Sequence, residues 1–218
     1  MSKLKGGPLL GVTTVTADLR AGFHGEIRET SNRLTTAISI GVPVSPAVLE
    51  TIVDRPNVLY KSHYRQINHI LNDIAFNVSW HLMQLGSSAL PIPASQILKW
   101  KPKMLAHLSH REIAFRAGLG WRGRNNLLVT PDYGSQIRLV TILTDLELEP
   151  DFPLDDDCGD CYACIDACPV GAIAENPQDF DLAACFSKVS EFARPENIGT
   201  LICGLCLAPC FGKKSNNG

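Results

Sequence analysis

The residues of this chain whose type and spacing can do chemistry are its eight cysteines. Cys158, Cys161, Cys164 and Cys168 form a Cys-x2-Cys-x2-Cys-x3-Cys-Pro run, Cys203, Cys206 and Cys210 form a second group, and Cys185 stands alone between them. Eight thiolates are the number that two four-ligand [4Fe-4S] cubanes need, so none is left over. Three cysteines spaced by two residues can wrap one cubane, while a fourth placed three residues later and followed by proline is directed to the other. The spacing therefore predicts that Cys158, Cys161, Cys164 and Cys210 hold a first cluster, and Cys168, Cys185, Cys203 and Cys206 a second. Pro209 precedes Cys210 instead of following it, so the turn at that ligand differs while the ligand count does not.

Zinc and disulfides are the competing uses of cysteine. Zinc sites pair two Cys-x2-Cys units across a spacer, which the evenly spaced first run does not. Disulfides belong to exported chains, and the N-terminal Met-Ser-Lys-Leu-Lys-Gly-Gly lacks an apolar signal core. The expected compartment is the reducing cytoplasm. No apolar stretch reaches the roughly 20 residues that span a bilayer, so no membrane role is expected. A formal net charge of -2 gives no general pull toward nucleic acid.

The elements that must position these thiols divide the chain. Leu34–Ile40 is rich in β-branched residues and ends at Gly41-Val-Pro43, a strand followed by a break. Ile67, Ile70, Leu71, Ile74, Ala75, Val78, Leu82 and Leu85 recur at helical spacing before Gly86, which predicts a long amphipathic helix packed on a sheet. His63, His69 and His81 lie on or beside it and are read as surface or core-edge residues. Pro91 and Pro93 impose an extended path. Ser109-x-x-Glu112 is a capping box, and the helix it starts should stop at Gly118. Residues 126–130 and 137–144, separated by Pro131-Asp-Tyr-Gly134, read as a hairpin or two neighbouring strands. The acidic, proline-bearing stretch 146–157 is the best boundary, giving an α+β chain with a mixed α/β domain over 1–150 and a small ferredoxin-like dicluster domain over 151–218. Its carboxylates should lower the potential of the nearby cluster.

Beyond spacing, Ala117-Gly-Leu-Gly-Trp121-Arg-Gly123, followed by Gly134-Ser, Leu143-Thr-Asp-Leu and the cysteine array, resembles the epoxyqueuosine reductase family over roughly residues 60 to 210. That family is related to the reductive dehalogenases. The resemblance implies an oxidoreductase that binds cobalamin in its α/β domain and feeds it electrons from two [4Fe-4S] clusters. It also implies that the segment from His110 to Leu128, with Arg111, Gly118, Leu119, Gly120, Trp121 and Gly123, shapes the corrinoid pocket. The other reading of Gly118 is a helix cap, and of Gly120 a tight turn.

Two departures narrow the expectation. The catalytic aspartate of the family falls near Met104 here, and no carboxylate lies between Lys99 and Arg111, so His110 and His107 are the candidate proton donors. The chain ends soon after Cys210 and is read as a short form without the C-terminal helical region that contributes to tRNA binding, which argues against tRNA and for a small-molecule or protein substrate. A ferredoxin or flavodoxin is the expected electron donor. The alternatives are a non-catalytic electron carrier that reduces a partner, such as a corrinoid protein, and reduction of epoxyqueuosine in tRNA itself.

Overall fold

Both faces of the central strands are apolar, and this dictates a sheet covered on each side. The structure, a computed structural model, describes residues 7–99, 105–194 and 196–213. Strand β1 (Leu9–Thr14) leads through two short helices, α1 (Ala17–Ala21) and α2 (Gly25–Arg28), to β2 (Thr36–Pro43) and the single turn α3 (Pro46–Leu49). The long α4 (Val58–Gln84), β3 (Ala89–Ile92), α5 (His110–Arg116), the short strands β4 (Trp121–Arg122) and β5 (Leu128–Val129), and β6 (Ile137–Thr144) follow. After residue 150 only α6 (Ala163–Asp166) and α7 (Leu182–Phe192) are α-helical among the described residues.

The sheet order is β1-β2-β6-β3, every neighbour antiparallel, with Gly11 opposite Ser39 and Ser39 opposite Thr141. Ile38, Ile40, Val140 and Ile142 pack with α4, while Ala37 and Leu143 pack with Ile113 of α5 and with the α1–α2 segment. The side-chain period of two along each strand sorts the residues this way.

Helix α4 begins at Asn57, whose Oδ1 accepts the Tyr60 amide at 2.9 Å, and ends before Gly86 at φ +87. Its apolar stripe Tyr60, Ile67, Leu71, Ala75 and Leu82 is buried. Leu71 is fully covered, so its truncation to alanine would cost about 2 to 5 kcal/mol. The helix starts nine residues before the expected Ile67, because the polar cap at Asn57 lies ahead of the periodic run.

The expected pairing of residues 126–130 with 137–144 does not form. Strand β5 folds back on β4, and β6 lies between β2 and β3. Thr130 and Gly134 spend both their backbone groups on each other, at 2.8 and 2.9 Å, so the Pro131 turn closes on itself and the chain leaves it for the other sheet.

Among the described residues, the segment after residue 150 forms no core cluster of its own. Phe192, Ile198, Ile202, Leu205 and Leu207 are buried in the same cluster as Tyr60, Ile67 and the inner residues of β2 and β6. Lys61 Nζ donates to the Ile198 carbonyl at 2.8 Å and ties α4 to this segment. The acidic stretch at 146–157 thus interrupts regular structure but does not divide the hydrophobic interior.

Candidate metal-cluster centre and adjoining cleft

Tight turns present the first cysteine set. The Cys161 amide donates to the Cys158 carbonyl at 3.1 Å, and the single turn α6 carries Cys164. Cys210 arrives from the C-terminal segment and takes a hydrogen bond on its sulfur from the Ser135 amide at 3.3 Å. Burial pushes the Cys164 thiol up to about 11, helped by the neighbouring Cys210, Cys158 and Cys161. These are the four residues that spacing assigned to one cluster. Cys161 is the one exposed cysteine of the eight.

Cys168, Cys185, Cys203 and Cys206 line a single apolar cavity with Pro169, Val170, Ile173 and Phe180. Helix α7 delivers Cys185, whose amide donates to Asp181 at 3.1 Å. The Ala172 amide donates to the Cys168 sulfur at 3.3 Å. Gly204, at φ +87 against the Tyr60 ring, makes the turn between Cys203 and Cys206. Burial raises the Cys185, Cys203 and Cys206 thiols, and the neighbouring thiols of the set add to this. Cys164 also acts on Cys206, so the two sets adjoin.

Among the described residues no three His, Cys, Asp or Glu side chains close around a single metal ion. Four cysteines lining one apolar cavity are the donor set that a cubane, with one sulfur ligand on each iron, would need. All eight cysteines are free thiols. The donor set, eight cysteines in two sets of four, fits two [4Fe-4S] clusters, and binding would release the protons that burial holds on the sulfurs.

A cleft of about 320 Å3 opens beside the second set, lined by Ser109, Arg111, Glu112, Arg122, Gly123, Asn126, Leu127, Leu128, Asn176, Pro177 and Gln178. Arg111 is exposed at its mouth yet walled by protein, which lowers its guanidinium pKa, an effect partly offset by Cys185 and Glu112. Burial works to raise the Glu112 carboxyl, but bonds from Arg116 at 2.8 Å and Arg122 at 2.7 Å outweigh it and keep the pKa low. Ser109 Oγ caps α5 by accepting the Glu112 amide at 3.3 Å, as the capping box predicts. Asn176 and Gln178 carried no motif, Ser109 was read only as a helix cap, and Arg122 and Asn126 fell inside the 110–128 segment without a role of their own. The one sequence hint was Asn126, an asparagine in a Gly-Arg-Asn-Asn loop that adopts φ +57.

Of the six residues expected around a corrinoid, Arg111 and Gly123 line this cleft. Gly118, Leu119, Gly120 and Trp121 do not. Gly118, at φ +68, faces the Phe152 carbonyl, 2.5 Å from where a Cβ would stand, and a Cβ on Gly120 would overlap the Val129 carbonyl. Leu119 and Trp121 are buried. The close approach these glycines permit is to protein backbone.

The two histidines also lie off the cleft. His110 Nε2 donates to the Pro93 carbonyl at 3.1 Å, so its Nδ1 accepts from the Thr141 hydroxyl at 2.8 Å. Burial lowers its pKa to about 4, and both ring nitrogens are engaged. His107 Nε2 meets Glu26 at 3.1 Å, and its Nδ1 is buried without a partner. On α4, His63 accepts the Ser45 amide at 3.0 Å, and His69 and His81 are exposed. The position near Met104, where the aspartate was looked for, lies outside the described residues.

Comparison with known proteins adds the lineage. Epoxyqueuosine reductase of Staphylococcus aureus is 46% identical over 166 residues, 72% of this chain and 43% of that protein. The Salmonella typhimurium epoxyqueuosine reductase is 33% identical over 168 residues, 74% of this chain and 41% of that protein. The chain belongs to the epoxyqueuosine reductase-like family. It spans less than half the length of these two family members. No protein-family model matches the chain. Among solved structures, the epoxyqueuosine reductase of Streptococcus thermophilus shares the fold with a TM-score of 0.61 at 22% identity, over 96% of this chain and 64% of that one. A catabolic reductive dehalogenase in complex with 3-bromo-4-hydroxybenzoic acid shares it with a TM-score of 0.72 at 18% identity, over 93% and 29%. An epoxyqueuosine reductase with an epoxyqueuosine-modified tRNA stem loop matches with a TM-score of 0.59 at 22% identity, over 96% and 62%. The family is one of reductases, and no helix among the described residues is long and apolar enough to cross a membrane.

Proposed function

We propose that the protein is an iron–sulfur oxidoreductase that passes single electrons from its surface to an acceptor seated in the cleft at Arg111. The observation that carries this reading is the gathering of eight cysteines into two adjoining sets of four, with the second set beside the cleft. Cys158, Cys161, Cys164 and Cys210 would hold one [4Fe-4S] cluster, and Cys168, Cys185, Cys203 and Cys206 the other, as in a ferredoxin-like dicluster domain. When bound, such clusters supply one-electron transfer at low potential.

The chain's own residues define the two ends of the route. Cys161 is exposed, so a low-potential donor such as a ferredoxin or flavodoxin docks at the first set. At the other end Arg111, Ser109, Asn126 and Gln178 offer donors to a polar acceptor, and the apolar lining of the second cavity keeps water from the sulfurs between. Cobalamin is the acceptor the family implies. A corrinoid is larger than the drug-sized ligands that fill clefts of this size, so the lining residues seat one edge of it.

Anaerobic reconstitution followed by iron and sulfide analysis, EPR and titration with hydroxocobalamin tests the reading. About eight irons per chain and a visible spectral change that Arg111→Ala weakens are expected. Failure of the chain to take up iron would sink it. Clusters without corrinoid binding favour the second reading, an electron carrier that reduces a partner, which the modest size of the cleft supports. The substrate is read as a small molecule or a protein. The neighbour carrying a tRNA stem loop makes tRNA a further reading, tested by whether the gene restores queuosine to a strain lacking its reductase.

A further inference from the structure

Arg124 lies in the loop between β4 and β5 and reaches across to the first cysteine set. Its Nε donates to the Glu175 carbonyl at 2.8 Å, its Nη2 to the Gly159 carbonyl at 2.9 Å, and its Nη1 to the Cys161 carbonyl at 3.2 Å. The guanidinium carbon stands 4.7 Å from the centre of the Tyr162 ring. Two of the three carbonyls therefore belong to the Cys158–Cys161 turn, and the third to the strand of chain leading toward Cys185. No ion pair among the described residues involves Arg124.

An arginine fork is rigid, planar and charged at every working pH, so it can hold three acceptors in a fixed relation where a lysine cannot. The same turn is gripped from its other side by Asp157, whose Oδ1 accepts the Gly159 amide at 2.7 Å. Arg124 thus joins Gly159, at φ +47, and the exposed Cys161 to the loop between β4 and β5. Cluster potentials respond to local net charge and exposure. The carboxylates of the 151–157 stretch and Asp160 would push the potential of a cluster in the first set down, and Arg124 is a cation fixed on the turn against them.

We propose that Arg124 is a positioning residue for the first cysteine set: it holds the Cys158–Cys161 turn against the core and places an unpaired positive charge beside the bound cluster, raising that cluster's reduction potential. This rests on the cluster reading above.

Anaerobically reconstituted full-length wild type, Arg124→Lys and Arg124→Gln are compared by iron content, potentiometric EPR titration and the rate of iron loss to a chelator. Wild type without iron ends the cluster reading itself and is seen before any variant is made. With two clusters present, Arg124→Gln should lower one midpoint and leave the other in place. Arg124→Lys should keep that midpoint near wild type but lose iron faster, because one ammonium cannot span three carbonyls. A variant that retains one cluster of two also supports the proposal. It is overturned if Arg124→Gln retains both clusters at wild-type midpoints, if both midpoints move together, or if both variants lose all iron along with their thermal unfolding transition.

Discussion

The amide of Ser135 donates to the sulfur of Cys210 at 3.3 Å, joining residues 75 positions apart and tying the last cysteine to the start of β6. The preceding Gly134 permits the approach: it sits at φ +57 with its α-carbon against the Cys210 carbonyl, and a Cβ there would overlap it. Replacing Gly134 by alanine combines left-handed strain with a clash against backbone, and should cost about 2 kcal/mol or more. A lowered midpoint in thermal unfolding, together with reduced iron retention, is the expected result. A variant as stable as wild type would mean that the turn relaxes freely.

Grouping of the thiols makes a prediction about stoichiometry. Cys164→Ser and Cys210→Ser should each leave about four irons with the same residual spectrum, while Cys168→Ser and Cys185→Ser should share a different one. Iron analysis and EPR of the four variants check this. If Cys168→Ser matched Cys164→Ser, the two sets would be wrongly divided.

His110 is held neutral. Burial lowers its pKa from the ordinary 6.5 to about 4, so between those values the unfolded chain binds a proton that the folded chain does not. The neutral ring's contribution is therefore fully present above about pH 6.5 and is lost as pH falls toward 4. The urea midpoint should drop between pH 7 and pH 5 in wild type, and less steeply in His110→Gln, which keeps a donor and an acceptor. Activity of the intact enzyme should show no limb near 6.5 from this residue.

Gly118→Ala and Gly120→Ala should fail through folding. Each Cβ meets a carbonyl, of Phe152 or of Val129, and Gly118 adds a positive φ. Both variants should unfold at lower temperature without any cofactor present. Wild-type stability with selective loss of corrinoid binding would return these glycines to the pocket.

Much of the scaffold was legible because its signals are local. The apolar period of α4, the capping box at Ser109 and the eight cysteines each declare themselves within a few residues. The pairing of β6 did not, since a strand flanked by two partners from distant sequence carries the same alternation as a hairpin arm. The glycines of Ala-Gly-Leu-Gly-Trp correctly announced close approach, yet sequence names no neighbour, and the neighbours were Phe152 and Val129. Asn176 and Gln178 meet the 109–128 segment only through tertiary packing, and polar residues at no fixed spacing leave no trace to read.

The burial of Phe192, Ile198, Ile202, Leu205 and Leu207 in the same interior as α4 couples the turns around Cys203 and Cys206 to the folding of the α/β part. If clusters bind at these cysteines, binding to the folded chain would add to its stability, and their loss would loosen the turn at Gly204 that rests on Tyr60. Loss of such clusters would then be felt as weakened folding of the chain, and would expose it to proteolysis.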